Sequence, residues 1–285
     1  NTYLNEVKFR RALSLAINRK KIIKALYSGI GEPAQLSPGE GSVVYSEKLQ
    51  KSYVEHAPER ARKLLDSIGL DQRDSEGYRT FPDGSRMTWF IEFTSFTGLG
   101  PVQFIVSNWK EVGIRAIPRE RAPSLFYTRK IAGQQDFTVW TGEGEFDPLV
   151  QPRSFVPTYP ESHHAVKYGL WFRDGGLQGN PDATKQGGIA PPKGSDIRKV
   201  MELLVKAQSS PSREEQKQYF DRIFELNAEN VWTISIATPP PQPVIVHDEF
   251  RNVPERALYG YDYSSPANAG IETFFYENAK NPPDV

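Results

Sequence analysis

Residues 87–117 constrain the fold more than any other stretch of this chain. Residues 87–93 (MTWFIEF) read as a strand. Pro101 opens a helix that runs to Val112, where Gly113 stops it, and residues 114–117 (IRAI) read as a second strand. Such short strand–helix–strand connections favour a parallel pair with a right-handed crossover. A further helix over 122–131 leads into a strand at 137–140. Repeated alternation of this kind makes an α/β architecture, with helices packed on a sheet.

The flanking segments fit such a lobe. Val7, Phe9, Ala12, Leu13, Ala16, Ile17, Ile22, Ile23 and Leu26 recur at helical spacing, with Asn5 placed as N-cap and Gly29 or Gly31 as the stop. The Arg and Lys residues between them read as a solvated face of a core helix, in preference to a membrane or partner helix. A loop rich in Pro, Gly and Ser follows over 32–46, then a helix over 59–68 after Pro58, ended by Gly69. Residues 71–83 read as polar turns, with a tight turn at Pro82-Asp83-Gly84. Residues 143–192 are long, irregular and rich in Gly and Pro, as functional loops are. Helices are expected over 196–209 and 213–230, the second with a capping box of Ser212 and Glu215. Residues 231–237 read as a buried strand. The run Pro239-Pro240-Pro241-Gln242-Pro243 is an extended connector with a strand at 244–246 beyond it. The domain organisation expected is therefore 1–238 as one contiguous lobe and 239–285 as a separate segment.

Composition removes several classes of function. Lys plus Arg equals Asp plus Glu at 35 each, so the chain lacks the basic field of a nucleic-acid binder. It has no cysteine, which excludes thiol catalysis, disulfides and Cys-based zinc sites. No segment approaches the ~20 apolar residues of a membrane span. The 12% of aromatic residues suits a ligand cleft and a packed core equally. No GxSxG, HExxH or phosphate-loop signature is present. The opening Asn1-Thr2-Tyr3-Leu4 lacks an initiator Met and a signal sequence, so the chain is expected to start inside a longer protein or after processing.

Four stretches together resemble the family 5 extracellular solute-binding proteins, which serve importers of dipeptides, oligopeptides, nickel and some oligosaccharides. VKFRRALSLAINRKKII over 7–23 is similar to the family helix "vRrAlalAidRekii", and 29–38 to its "G.g.pa..p.pp" loop. APERARKLL, continuing to Gly69, is similar to "pekAkkLLaeaG", and 136–148 to a strand, a Trp and an acidic Gly-rich turn. The resemblance covers most of 5–240 and continues more loosely over 168–180. It implies the small C-terminal lobe of a two-lobed, type II periplasmic-binding-protein fold, a mixed sheet with flanking helices. Residues 239–285 would return toward a large N-terminal lobe absent from this sequence. It also implies a monomer outside the cytoplasmic membrane that is not an enzyme, holds no cofactor or metal, binds no nucleic acid, closes on a peptide or similar solute, and docks on ABC permease subunits. One lobe alone is expected to bind solute weakly.

The expected site lies where the strand at 137–140 ends, since ligands of α/β sheets bind beyond the carboxyl ends of strands. Trp140 offers a flat apolar face, and Thr141 and Gly142 bring backbone close to a ligand. The resemblance places an acidic residue three positions after this Trp on a peptide's α-amino group, which carries over to Glu143, with Glu for Asp. Trp171 is included as a second aromatic contact, although it and Tyr168 equally suit a role in pinning the long segment to the core. Glu143, Glu145 and Asp147 also admit a reading as hydrolase carboxylates or calcium ligands, both weaker. His163-His164 reads as surface loop in preference to a metal pair.

Overall fold

The structure is a computed structural model, and it describes residues 2–142, 147–260 and 264–277. The chain divides into two compact units, residues 1–238 and 239–285.

In the first unit a helical turn α1 (Thr2–Asn5) precedes α2 (Val7–Ala16) and α3 (Arg19–Leu26). The expected single helix is thus two. Glu6, not Asn5, caps α2 through its side chain, and Asn18 caps α3 by accepting from Lys21 N at 3.0 Å. Asn18 N is in turn drawn to Asn108 Oδ1 at 2.9 Å, a tertiary bond invisible to local periodicity. Then come α4 (Glu47–Gln50) and α5 (Pro58–Asp66), with Pro58 at the first turn, where its missing N–H costs nothing.

The sheet follows in the anticipated order: β1 (Trp89–Phe93), α6 (Gly100–Glu111), β2 (Ala116–Glu120), α7 (Pro123–Ala132) and β3 (Phe137–Thr138). Strand order is β2-β1-β3 and both pairings are parallel, with Trp89 opposite Ala116 and Ile91 opposite Phe137. The fold is therefore α/β, a parallel sheet with flanking helices. Pro118 fits because β2 lies at a sheet edge, where a missing N–H breaks no inner ladder. Trp89, Ile91 and Phe93 alternate onto one face and are buried with Phe9, Leu13, Ala61, Leu65, Val102 and Trp109. Trp89 lies 5.3 Å from Phe9 and Phe137 lies 5.0 Å from Trp109, so tilted and edge-on rings fill this core.

A second core gathers on α8 (Val166–Arg173), α9 (Asp196–Ser209) and α10 (Arg213–Asn230). Phe220, Ile223, Phe224 and Asn227 form the inward stripe of α10 at helical spacing. Asn227 is buried but satisfied, donating to Phe155 O at 3.1 Å and Ile223 O at 2.9 Å. The Ser212 cap is present, accepting from Glu215 N. The Glu215 carboxylate does not close the box on Ser212 N; it accepts from Ser210 Oγ at 2.5 Å instead.

Three further expectations for this unit fail. Residues 231–237 form no strand. Their backbone is held piecemeal, Ser235 N by Gln35 Oε1 at 2.9 Å, Ser235 O by Arg19 Nε at 2.8 Å, and Ala237 by one antiparallel bridge to Pro33. The segment 143–192 is not wholly irregular, since it contains α8. Gly169 hid that helix. A Cβ there would approach Tyr159 O to 2.9 Å, so glycine is required by close packing, not by a turn.

The third failure concerns the basic residues of α2 and α3, which are not all a solvated face. Arg10 Nε donates to Asn230 O at 2.8 Å and Arg11 Nε to Glu229 O at 2.9 Å, filling two carbonyls that the end of α10 leaves open. Arg19, only 1% exposed, donates to Ser14 O, Ser14 Oγ and Val54 O as well as Ser235 O. Burial lowers Arg10 and Arg19 to about 10, so both remain charged at neutral pH.

The second unit holds a short antiparallel ribbon, β4 (Phe250–Arg251) with β5 (Phe275–Tyr276), closed by the Phe250 and Tyr276 rings 4.8 Å apart. No strand forms at 244–246, where Val244 and Ile245 are exposed. Among the described residues no helix is long and apolar enough to cross a membrane.

Candidate functional site

The three parallel strands all point their carboxyl ends at one aromatic shelf. Beyond β1 comes Phe96, beyond β2 the first turns of α7 with Phe126 and Tyr127, and beyond β3 Trp140. Trp140 is the hub. Its ring lies 5.6 Å from Phe96, 6.0 Å from Phe126 in a stacked arrangement, and 5.8 Å edge-on from Tyr127. Phe126 is buried and forms the floor, whereas Phe96 is 72% exposed. An exposed phenyl beside a half-exposed indole is a surface that a flat or apolar solute can cover.

An ionic cluster beneath the shelf holds it in register. Glu92, in the central strand, is buried, and a buried carboxylate needs partners. It accepts from Arg129 Nε at 3.0 Å and Gln135 Nε2 at 2.8 Å and pairs with Arg121 at 3.4 Å. Gln135 also donates to Phe126 O at 3.1 Å. The cluster ties α7 and the approach to β3 to the central strand, which fixes Phe126 and Tyr127 relative to Trp140.

Thr141 and Gly142 follow Trp140 and are exposed, and a Cβ on Gly142 would sit 3.2 Å from Leu36 Cδ1. Glu143 and Glu145 lie outside the described residues. Asp147 turns its carboxylate to Leu149 N at 3.0 Å, the work of a turn cap. Trp171 is placed elsewhere. It is 6% exposed, within the second core, with the Arg198 guanidinium 4.7 Å from its ring centre. The Gly-rich stretch wraps this indole. Gly176 lies directly against the ring, and a Cβ on Gly188 would meet Trp171 N at 2.7 Å. Trp171 therefore pins the long segment to the core and is not one of the rings on the shelf.

His163 is half-buried in an irregular segment, and His164 is not at the surface. His164 is buried and stacks on Trp232, the rings 5.3 Å apart and 11° from parallel. Burial first, then the neighbouring His163, Arg10 and Lys130, push His164 down to about 3. Burial, then Lys130 and Arg153, push His163 down to about 4. Both are neutral at pH 7. Among the described residues no group of three or more His, Asp or Glu is gathered as a metal would require.

Phe96, Tyr127 and the Glu92 cluster are the functional candidates that sequence reasoning missed. The available signal was positional: Phe96 sits just past the carboxyl end of β1, as Trp140 does past β3.

The fold has known counterparts. The family model for bacterial extracellular solute-binding proteins, family 5 Middle, matches residues 1–161. The chain belongs to this family. The periplasmic alpha-galactoside-binding protein of Rhizobium meliloti (strain 1021) is 22% identical over 261 residues, 87% of this chain but 34% of the relative. The solved oligopeptide-binding protein OppA is 31% identical, with a TM-score of 0.78 over 96% of this chain and 44% of its own. The periplasmic binding protein MelB from Agrobacterium fabrum C58, solved in complex with stachyose, is 18% identical with a TM-score of 0.73, over 98% of this chain and 40% of its own. The family 5 fold is thereby established for a chain that spans about a third to under half the length of these relatives.

Proposed function

We propose that this chain forms one wall of the solute site in an extracytoplasmic binding protein of an ABC importer, and that the solute is a peptide or an oligosaccharide. The observation that carries the reading is the shelf of Phe96, Tyr127 and Trp140 at the carboxyl ends of all three parallel strands, where α/β sheets bind ligands. Family membership supports it, as do relatives described as binding oligopeptides and galactosides.

On this reading Trp140 and Phe96 take a peptide plane or a sugar face. Thr141 and Gly142 offer backbone polar groups, and Glu143 takes a ligand ammonium where the solute is a peptide. Residues 1–238 are one lobe, and residues 239–285 return toward a second lobe that supplies the opposite wall. Closure of two lobes buries the solute and presents the closed form, as a monomer, to membrane permease subunits. No chemistry on the solute is called for, and neither the family match nor the described geometry favours the hydrolytic reading of Glu143, Glu145 and Asp147.

The test uses the full-length protein and a library of di- to pentapeptides and galacto-oligosaccharides, with binding followed by calorimetry. Trp140→Ala is expected to weaken binding of the preferred solute at least ten-fold while the circular dichroism spectrum stays unchanged. Unchanged affinity in Trp140→Ala and Phe96→Ala alike would remove the shelf from the site.

A further inference from the structure

Lys130, in the last turn of α7, lines a recess of about 90 Å³ together with Tyr127, Trp140, Arg153, Glu161 and His163. Its Nζ donates to Glu161 O at 2.9 Å, an uncharged carbonyl. Among the described residues its ammonium makes no ion pair, whereas Lys51, Lys199 and Lys217 each hold a carboxylate. Glu161 is the one carboxylate in the lining, Arg153 is a cation, and His163 is neutral at pH 7. Lys167 of α8 packs against Gly133, just past the end of α7, and adds a further positive charge to this side. The rings of Tyr127 and Trp140, 5.8 Å apart, supply apolar wall.

An ammonium that is desolvated, bonded to a carbonyl and near other cations is held in its less stable protonation state. Burial, opposed by Glu161 and aided by Arg153, brings Lys130 down to about 8. Roughly a tenth of it is then free amine at pH 7. Desolvation and a neighbouring cation are the two means by which a lysine becomes a nucleophile toward carbonyl compounds. The volume is that of roughly three water molecules, room for a two-carbon chain and not for a six-membered ring.

We propose that Lys130 is a carbonyl-reactive amine, and that the recess receives a small aliphatic aldehyde which it captures as an imine. The Nζ lone pair bonds to the aldehyde carbon while the C=O π pair moves to oxygen, and one amine proton passes to that oxygen to give a carbinolamine. Loss of the second N–H proton and of the hydroxyl then breaks the C–O bond and forms C=N. Both amine hydrogens and the aldehyde oxygen leave as one water, so no oxidant or reductant takes part. The Glu161 carbonyl, by accepting from Nζ, holds the amine at the recess. The inference stands apart from the solute-binding reading, since it needs the recess and its amine and not the identity of a solute.

The experiment treats the full-length protein with acetaldehyde and cyanoborohydride at pH 7. The imine is trapped as an ethyl group, and labelling is read lysine by lysine by mass spectrometry of digests. A less basic amine is also a weaker nucleophile, which takes back part of the gain. Lys130 is therefore expected to be labelled at least five-fold faster than Lys20, Lys21 and Lys24, which lie exposed on α3. Cyclohexanecarbaldehyde, whose ring the recess does not admit, is expected to show no such excess. Trace acetylation between pH 6 and 10 reads the amine separately, and labelling of Lys130 is expected to level off above about pH 9. Labelling of Lys130 no faster than that of the three α3 lysines, or still rising steeply at pH 10, overturns the inference. So does an excess that persists with the ring aldehyde, because the recess is then not what receives it.

Discussion

Around the sheet, the core is made by strands that alternate large rings onto one face. Around α9 and α10, it is made by two helix stripes and a Gly-rich loop wound over a single indole. Both cores are rich in aromatic rings, and their glycines meet different neighbours. In the sheet region Gly113 follows α6 at a φ of 85°, a conformational task, and a Cβ there would also run into the Arg73 and Arg79 side chains. In the helical region Gly169, Gly176 and Gly188 serve close approach, so that backbone lies directly on Tyr159 and Trp171. Between the two cores stand Arg10, Arg11 and Arg19, whose guanidinium groups on α2 and α3 hold the carbonyls of the segment that leaves α10.

The largest way to break this arrangement is to remove the link. Arg19→Ala leaves several buried carbonyl oxygens without their donor and opens a cavity. It is expected to cost about 3–5 kcal/mol in urea denaturation, in the range for losing one side of a buried charged network. A loss below about 1 kcal/mol would show that the two cores stand independently. Next, Gly188→Ala sets a methyl group against Ala183 O and Trp171 N, both backbone. It is expected to cost ~1–3 kcal/mol by overpacking, whereas Gly77→Ala, whose Cβ meets nothing within 4 Å, tests the sheet region for the strain of positive φ alone.

The histidines sharpen the comparison through pH. His163 and His164 have folded pKa values below that of an unfolded histidine, so on acidification the unfolded chain takes up protons first. Stability is intact above about pH 6.5 and falls as pH drops toward 4 for His163 and 3 for His164. Each contributes a slope of up to ~1.4 kcal/mol per pH unit in that window. His164→Phe keeps the stack on Trp232 and is expected to flatten the slope between pH 6 and 4.5 in thermal melts. Smallest is Ser212→Ala, which removes the cap of α10 and is expected to cost about 1 kcal/mol; a larger loss would mean that the Ser210–Glu215 bond depends on it.

The sequence made the sheet region legible because its signals are local. The strand at Trp89, the helix after Pro101 and the stop at Gly113 each follow from neighbours in the chain. The helix at 213–230 was legible for the same reason, through its cap at Ser212. What failed was decided across distance. Residues 231–237 look like a strand because they are apolar, but their backbone is satisfied by Gln35 and Arg19, roughly 200 residues away in sequence. The break at Asn18 depends on Asn108. At the candidate site, Trp140 was legible from its place at the end of a strand. Phe96 was not, because only folding brings the end of β1 beside it.

The guanidinium staples carry a mechanical consequence. The stretch 231–238 is the last of the first unit, and its backbone is held at several points: Val231 N on Asn227 O, Ser235 on Gln35 and Arg19, Ile236 O on Ala34 N, and Thr238 on Glu32. Tension applied to the chain beyond Pro239 would meet these contacts in turn, those of Thr238 first, before it reached α10. The strap would yield in small steps from its free end while both cores stay folded.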